Sequence, residues 1–134
     1  MDDNLIARIW VEGKPFPAPR PRFDSIRKIA YNNKDYTNIK KKIGLITKSR
    51  IKQPLECPIF LKLDFFYEMP KSWTKKKKEN AKWKESRPDI DNLQKTVFDA
   101  LNGIAYKDDS QIVMVQARKQ YADKFGIIIE IHKA

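Results

Sequence analysis

Between Pro58 and Pro70 the chain reads IFLKLDFFYEM, and every second residue from Ile59 through Leu61, Leu63 and Phe65 to Tyr67 is large and apolar. A period of two is that of a strand with one face turned into a core, and Pro70 closes the run. Such a face has to be met by further strands and by a covering layer. Near the start, Leu5, Ala7, Ile9 and Val11 alternate with Ile6, Arg8 and Trp10, which predicts a strand ending before Gly13. QIVMVQARKQY and FGIIIEIHK predict two closing strands, joined as a hairpin through Ala122, Asp123 and Lys124.

The covering layer reads as helices. From about Tyr36 to Lys52 the spacing of Ile39, Ile43 and Ile46 predicts an amphipathic helix with a lysine-rich outer face, interrupted by Gly44. Ser72 or Thr74 caps a short helix that contains the four lysines Lys75 to Lys78, with Trp73 and Trp83 anchoring it on the core. A third helix begins near Asp89, because Ile90, Leu93, Val97, Leu101 and Ile104 fall on one stripe and Asp91, Lys95, Asp99 and Asn102 on the other. Pro88 and Gly103 stand where start and stop signals belong. GKPFPAPRPRF, with four prolines, cannot be helical and is expected to run extended over the surface. Strand and helix signals are interspersed without internal repeats. They predict an α/β (α+β) fold, a mixed four-stranded sheet packed by about three helices. The 134 residues, 41% of them hydrophobic, suit a single domain over 1–134 that buries roughly two thirds of its unfolded surface.

Charge narrows the function. Lys and Arg number 28 against 17 Asp and Glu, a net charge of +11, and an excess of this size attracts polyanions. No apolar run approaches the ~20 residues of a spanning helix, and MDDNLIARIW opens with acids where a signal peptide needs positive charge. No membrane association and a cytoplasmic location are therefore expected. Cys57 is the one cysteine and His132 the one histidine, which excludes an intrachain disulfide and a Cys/His zinc site. A metal here would sit among oxygen ligands, as magnesium or manganese does.

The acids of RPDIDNLQKTVFDALNG, Arg87 to Gly103, each have an ordinary explanation. Asp89 is a good N-cap, Asp91 in the first turn suits the helix dipole, and Asp91 with Lys95 makes an i,i+4 pair. Asp108 and Asp109 of YKDDSQ suit a polar turn before a strand. Their joint presence in so cationic a chain favours a different reading. Were the loop with Asp108 and Asp109 brought back to the acidic end of the helix, the carboxylates would repel one another unless a divalent cation sat among them. Such a cation would activate water and steady charge on a phosphate, with Lys95 adding a positive group.

These residues carry a resemblance. RPDIDNLQKTVFDALNG followed by YKDDSQI resembles the RusA family of Holliday junction resolvases, small metal-dependent endodeoxyribonucleases often found on prophages. The D-x-D-N-L-x-K run, the FDAL segment and the paired Asp before a strand occur together and in order between Arg87 and Val113. GKPFPAPRPRF and YEMPKSWTKKKK are similar to family segments more loosely, and residues 24–58 carry no signature. The resemblance implies that Asp89, Asp91, Lys95 and Asp109 are catalytic, that Asp89, Asp91 and Asp109 hold the metal with Asp108 as the alternative of its pair, and that Asp99 plays a supporting part. It also implies Mg2+, with Mn2+ able to substitute, a homodimer, and products with 3′-hydroxyl and 5′-phosphate ends.

The basic segments are then expected to bind DNA: Arg20 and Arg22 on the proline-stiffened loop, Lys75, Lys76, Lys77 and Lys78, and Arg87 near the scissile phosphate. The expected activity is Mg-dependent, structure-selective resolution of four-way DNA junctions by paired phosphodiester hydrolysis, with no small-molecule cofactor. Two alternatives stand beside it: a branched-nucleic-acid-binding module without catalysis, and a metal nuclease acting on other branched or single-stranded DNA.

Overall fold

The computed structural model describes residues 4–19 and 34–134. Its strands are β1 (Leu5–Glu12), β2 (Ile59–Glu68), β3 (Ile112–Ala122) and β4 (Gly126–Lys133). Its helices are α1 (Lys34–Arg50), α2 (Lys75–Asn80) and α3 (Ile90–Leu101), with a 3-10 turn at Asp109–Gln111. Among the described residues the predicted mixed four-stranded sheet under three helices is present, in the order β1-β4-β2-β3.

Alternation set the phase of β1, β2 and β4 correctly, whereas β3 buries no residue fully. Ile59, Leu61, Leu63, Phe65 and Tyr67 are all buried, as are Ala7, Ile9 and Val11 of β1 and Ile127, Ile129 and Ile131 of β4. The predicted hairpin is not formed. β4 lies antiparallel between β1 and β2, whereas β3 pairs parallel with the far edge of β2. Burial explains the order. The isoleucines of β4 need neighbours on both edges, while Val113, Met114 and Val115 of β3 remain exposed. Gly126 makes the insertion of β4 possible, because a Cβ there would stand 2.0 Å from the Trp10 ring.

Thr74 caps α2 by accepting from the Lys77 N–H at 3.1 Å, and Trp73 packs edge-on against Tyr121 as an anchor. Trp83 does not anchor. It is 50% exposed and belongs to a segment that pairs with the outer edge of β3, through Trp83 and Gln120. In α1, Ile39 and Ile43 are buried and Ile46 partly so. Gly44 lets α1 approach α3, since a Cβ there would lie 3.2 Å from Ile104 and 3.7 Å from the Ala100 carbonyl.

The proline segment, in its described part up to Pro19, is not laid loosely over the surface. Tyr67 donates its hydroxyl to the Pro15 carbonyl, Thr96 donates to that of Phe16, and the Ala18 N–H donates to that of Asn92. Three hydrogen bonds thus stitch it to β2 and α3.

The parallel pairing of β2 with β3 fixes the direction of α3. A parallel pair needs a crossover, so the connecting helix runs back against both strands. Lys119, late in β3, bonds the Pro88 carbonyl ahead of α3, while the Ala105 carbonyl beyond its end accepts from Leu55 ahead of β2. Twelve helical residues, about 18 Å at 1.5 Å each, separate these two ends.

Candidate active site at the start of the third helix

Asp89 and Asp91 open α3, and the chain that leads into them is pinned from below. The Lys119 ammonium donates to the carbonyls of Ser86 at 2.8 Å and Pro88 at 2.7 Å. Asp89 occupies the N-cap without a side-chain cap hydrogen bond, and its charge acts on Lys119 instead. The capping explanation for this acid therefore loses its main support. Asp91 is exposed, and its Oδ1 accepts from the Asn92 N–H at 2.9 Å. Lys95, one turn on, is also exposed.

Cations continue from Lys119 in a row. Burial, then the charge of Lys84, pulls the Lys119 ammonium below its ordinary range, and Asp89 opposes both. Lys84 is drawn down by burial and then by Lys14. The Lys84 ammonium lies 4.8 Å from the Tyr67 ring centre and 5.5 Å from that of Tyr121; Lys14 lies 5.8 Å and 5.6 Å from those of Phe16 and Phe125. Beside them a cavity of about 640 Å³ opens, lined by Lys14, Pro15, Phe16, Pro17, Ala18, Tyr67, Arg87, Pro88, Asp89 and Asn92. Lys14, Lys84 and Lys119 were not identified from sequence. Lys119 had a signal, because it shares the apolar phase of β3 with Ala117 and Tyr121.

The other end of α3 is built differently. Asp108 accepts from the Ser110 N–H at 3.0 Å, and Gln111 answers by accepting from the N–H groups of Lys107 and Asp108. The Gln111 amide also donates to the carbonyls of Leu55 and Cys57. Asp108 is thereby committed to the turn, and Asp109 is the acid of the pair outside that exchange. Tyr106, buried, donates its hydroxyl to the Phe98 carbonyl. Burial, then the charges of Asp109, Asp99 and Asp108, raises that phenol. Asp99 also accepts from Tyr36, whose hydroxyl is pushed up to about 12 by burial and then by Asp99.

The expected return of the Asp108–Asp109 loop to the start of α3 does not occur within one chain. The crossover holds that loop at the far end of the helix, and among the described residues no three His, Cys, Asp or Glu side chains stand close enough to share a metal. Of the expected DNA-binding residues, Arg87 is exposed on the cavity rim and Lys75 to Lys78 form α2. Lys77 lies 4.5 Å from the Trp73 ring centre. Arg20 and Arg22 lie outside the described residues. No described helix is long and apolar enough to cross a membrane.

Residues 12–132, both ends of α3 included, match the family described as endodeoxyribonuclease RusA. The chain belongs to the RusA family. This RusA-family chain is 42% identical over 85 residues to a protein of Lactococcus phage r1t named crossover junction endodeoxyribonuclease rusA. That match covers 59% of the chain and 61% of the phage protein, less than two thirds of its length. It is also similar, at 32% identity over 136 residues, to the uncharacterized protein YqaN of Bacillus subtilis (strain 168), covering 94% of the RusA-family chain and 95% of YqaN.

Proposed function

We propose that this chain is a magnesium-dependent, structure-selective endodeoxyribonuclease that resolves four-way DNA junctions by paired phosphodiester hydrolysis, acting as a cytoplasmic homodimer. The family match over residues 12–132 carries the reading, because it includes both acidic segments and the lysine between them. Asp89 and Asp91 are the proposed ligands of the metal. Magnesium takes oxygen ligands, keeps several waters and is often bound by one or two carboxylates plus phosphate oxygens, so two acids of one helical turn suit it. Manganese would substitute on the same donors. When bound, such an ion supplies positive charge to the phosphate and acidifies water. Lys95 donates to a phosphate oxygen from the face of α3 that also carries Asp91, and Lys119 fixes the backbone from which Asp89 projects. Arg87 and Lys75 to Lys78 extend the contact along the DNA, with Arg20 and Arg22 proposed alongside them.

Asp109 joins from a second copy. Residues 82–84 cover β3 at 119–121, and among the described residues the stretch from Ile112 to Arg118 has an open edge with exposed Val113, Met114 and Val115. Antiparallel pairing of two such edges about Val115, the middle of the open stretch, sets the partner subunit's Asp109 level with Tyr121, close to Lys119 and Asp89. The separation of the acids within one chain favours one other reading, a junction-binding module without cleavage. Cutting of a synthetic immobile junction and of linear duplex, each with and without magnesium, separates the two. The nuclease cuts the junction in magnesium, and Asp91→Asn binds it but does not cut. Equal cleavage by this variant and the parent would refute the site.

A further inference from the structure

We infer that the cavity at the start of α3 is a subsite for a single unstacked nucleotide, taking its base against the half-buried Phe16 ring and the proline wall and its phosphate on Lys14 and Lys84. The inference rests on the reading of the chain as a protein of branched DNA and adds where one nucleotide of that DNA goes.

The cavity has the size and lining for this ligand. Its volume of about 640 Å³ falls inside the ~300–1,000 Å³ span of small-molecule pockets. Its walls are prolines and the half-buried Phe16 ring, against which any base face can stack, with the buried Tyr67 behind them. Asn92 and Asp89 supply polar groups at one side and Arg87 at the rim. The walls are held in place: the Tyr67 hydroxyl bonds the Pro15 carbonyl, and Thr96 bonds that of Phe16. Such preorganisation lowers the cost of ordering a ligand.

The charges point the same way. Lys14 and Lys84 repel each other while both are held against aromatic rings of this region. A phosphate between them offsets the repulsion and starts a path from Lys84 towards Asp89, past a Lys119 whose ammonium is held by two backbone carbonyls. A strand held by that path presents its next phosphodiester to the proposed metal ligands. Bases at a branch point are the cheapest to unstack, which ties the subsite to junctions rather than to intact duplex.

The test uses the whole protein and four-way junctions carrying 2-aminopurine, a base that brightens on unstacking, at one position at a time within three nucleotides of the branch. Measurements are made in EDTA, so that no cleavage is needed. Binding is expected to brighten one position and leave the others dark. Lys14→Gln and Lys84→Gln should each reduce that signal at saturating protein and lower the salt slope of junction binding by about 0.7 to 0.9. Lys52→Gln, at an exposed position away from the cavity, should leave the signal intact. No brightening at any position, or brightening that both cavity variants retain in full, overturns the subsite. Cleavage of junctions in magnesium without brightening rejects the subsite and keeps the nuclease. Brightening without cleavage rejects the nuclease and keeps the subsite.

Discussion

The two ends of α3 carry acids of the same kind in opposite settings. At the C-terminal end Asp108 exchanges hydrogen bonds with its own turn, and Gln111 ties that turn to Leu55 and Cys57. At the N-terminal end Asp89 holds a cap position without a cap bond, facing a lysine whose ammonium is spent on two backbone carbonyls. Where acids build the fold, the backbone satisfies them locally. Where cations and a cavity gather around them, the proposed reading has a ligand complete the arrangement. On the proposed function the contrast gives architecture to one end and chemistry to the other, with Asp109 as the acid that would cross over from the second copy.

The largest expected effect tests that crossing. Asp91→Asn and Asp109→Asn should each slow junction cleavage on the order of 10³-fold in single-turnover assays, with junction binding kept. Mixed and allowed to exchange subunits, the two inactive proteins should regain cleavage, because each mixed dimer holds one site with both acids intact. Mixed dimers that form, as seen by mass spectrometry, yet stay inactive would place Asp109 in the same subunit as its Asp91.

Lys119→Met should come next. It removes both bonds to the Ser86 and Pro88 carbonyls, and leaving such groups unmatched in a half-buried setting costs roughly 1–3 kcal/mol in urea unfolding. Cleavage should fall in kcat more than in KM, since the residue orients Asp89 rather than holding DNA. A KM effect alone would make Lys119 a DNA contact. At the other end, Tyr106→Phe loses a buried hydrogen bond to the Phe98 carbonyl, worth about 1 kcal/mol, and should leave cleavage unchanged. A large loss of cleavage with no loss of stability would bring Tyr106 into the chemistry and blur the division.

How much of this was legible in the sequence follows from what each feature depends on. Strand phase and the stripe of α3 depend on local alternation, and Ile59 to Tyr67 or Leu93 to Leu101 were read without error. Strand order depends on which edges remain open after folding, and nothing near Ala122 to Lys124 reveals that β4 slips between β1 and β2. Gly44 reads as a weak point of a helix until Ile104 and the Ala100 carbonyl are seen against it. The acids could be picked out by type and spacing, but their meeting was misjudged, because the parallel crossover is a property of the sheet. Lys14 and Lys84 are separated by 70 positions and face different rings, so their mutual repulsion had no local trace.

The smallest expected effect is at Asp108, and its sign follows from the cap. The Ser110 side chain, then the Ser110 N–H, holds this carboxyl below its ordinary value of 3.8. Because the folded value lies below the unfolded one, the charged cap contributes fully above the unfolded value and is lost as pH falls through the folded value. Asp108→Asn keeps an acceptor oxygen that does not titrate. Parent and variant should therefore differ most near neutral pH, with the parent the more stable, and the gap should close in urea unfolding as pH is lowered past 3.8 and on through the depressed folded value. If the Asp108 gap stays constant down to acid pH, the carboxylate is not what holds the turn, and the architectural role given to this end of α3 passes to Gln111 alone.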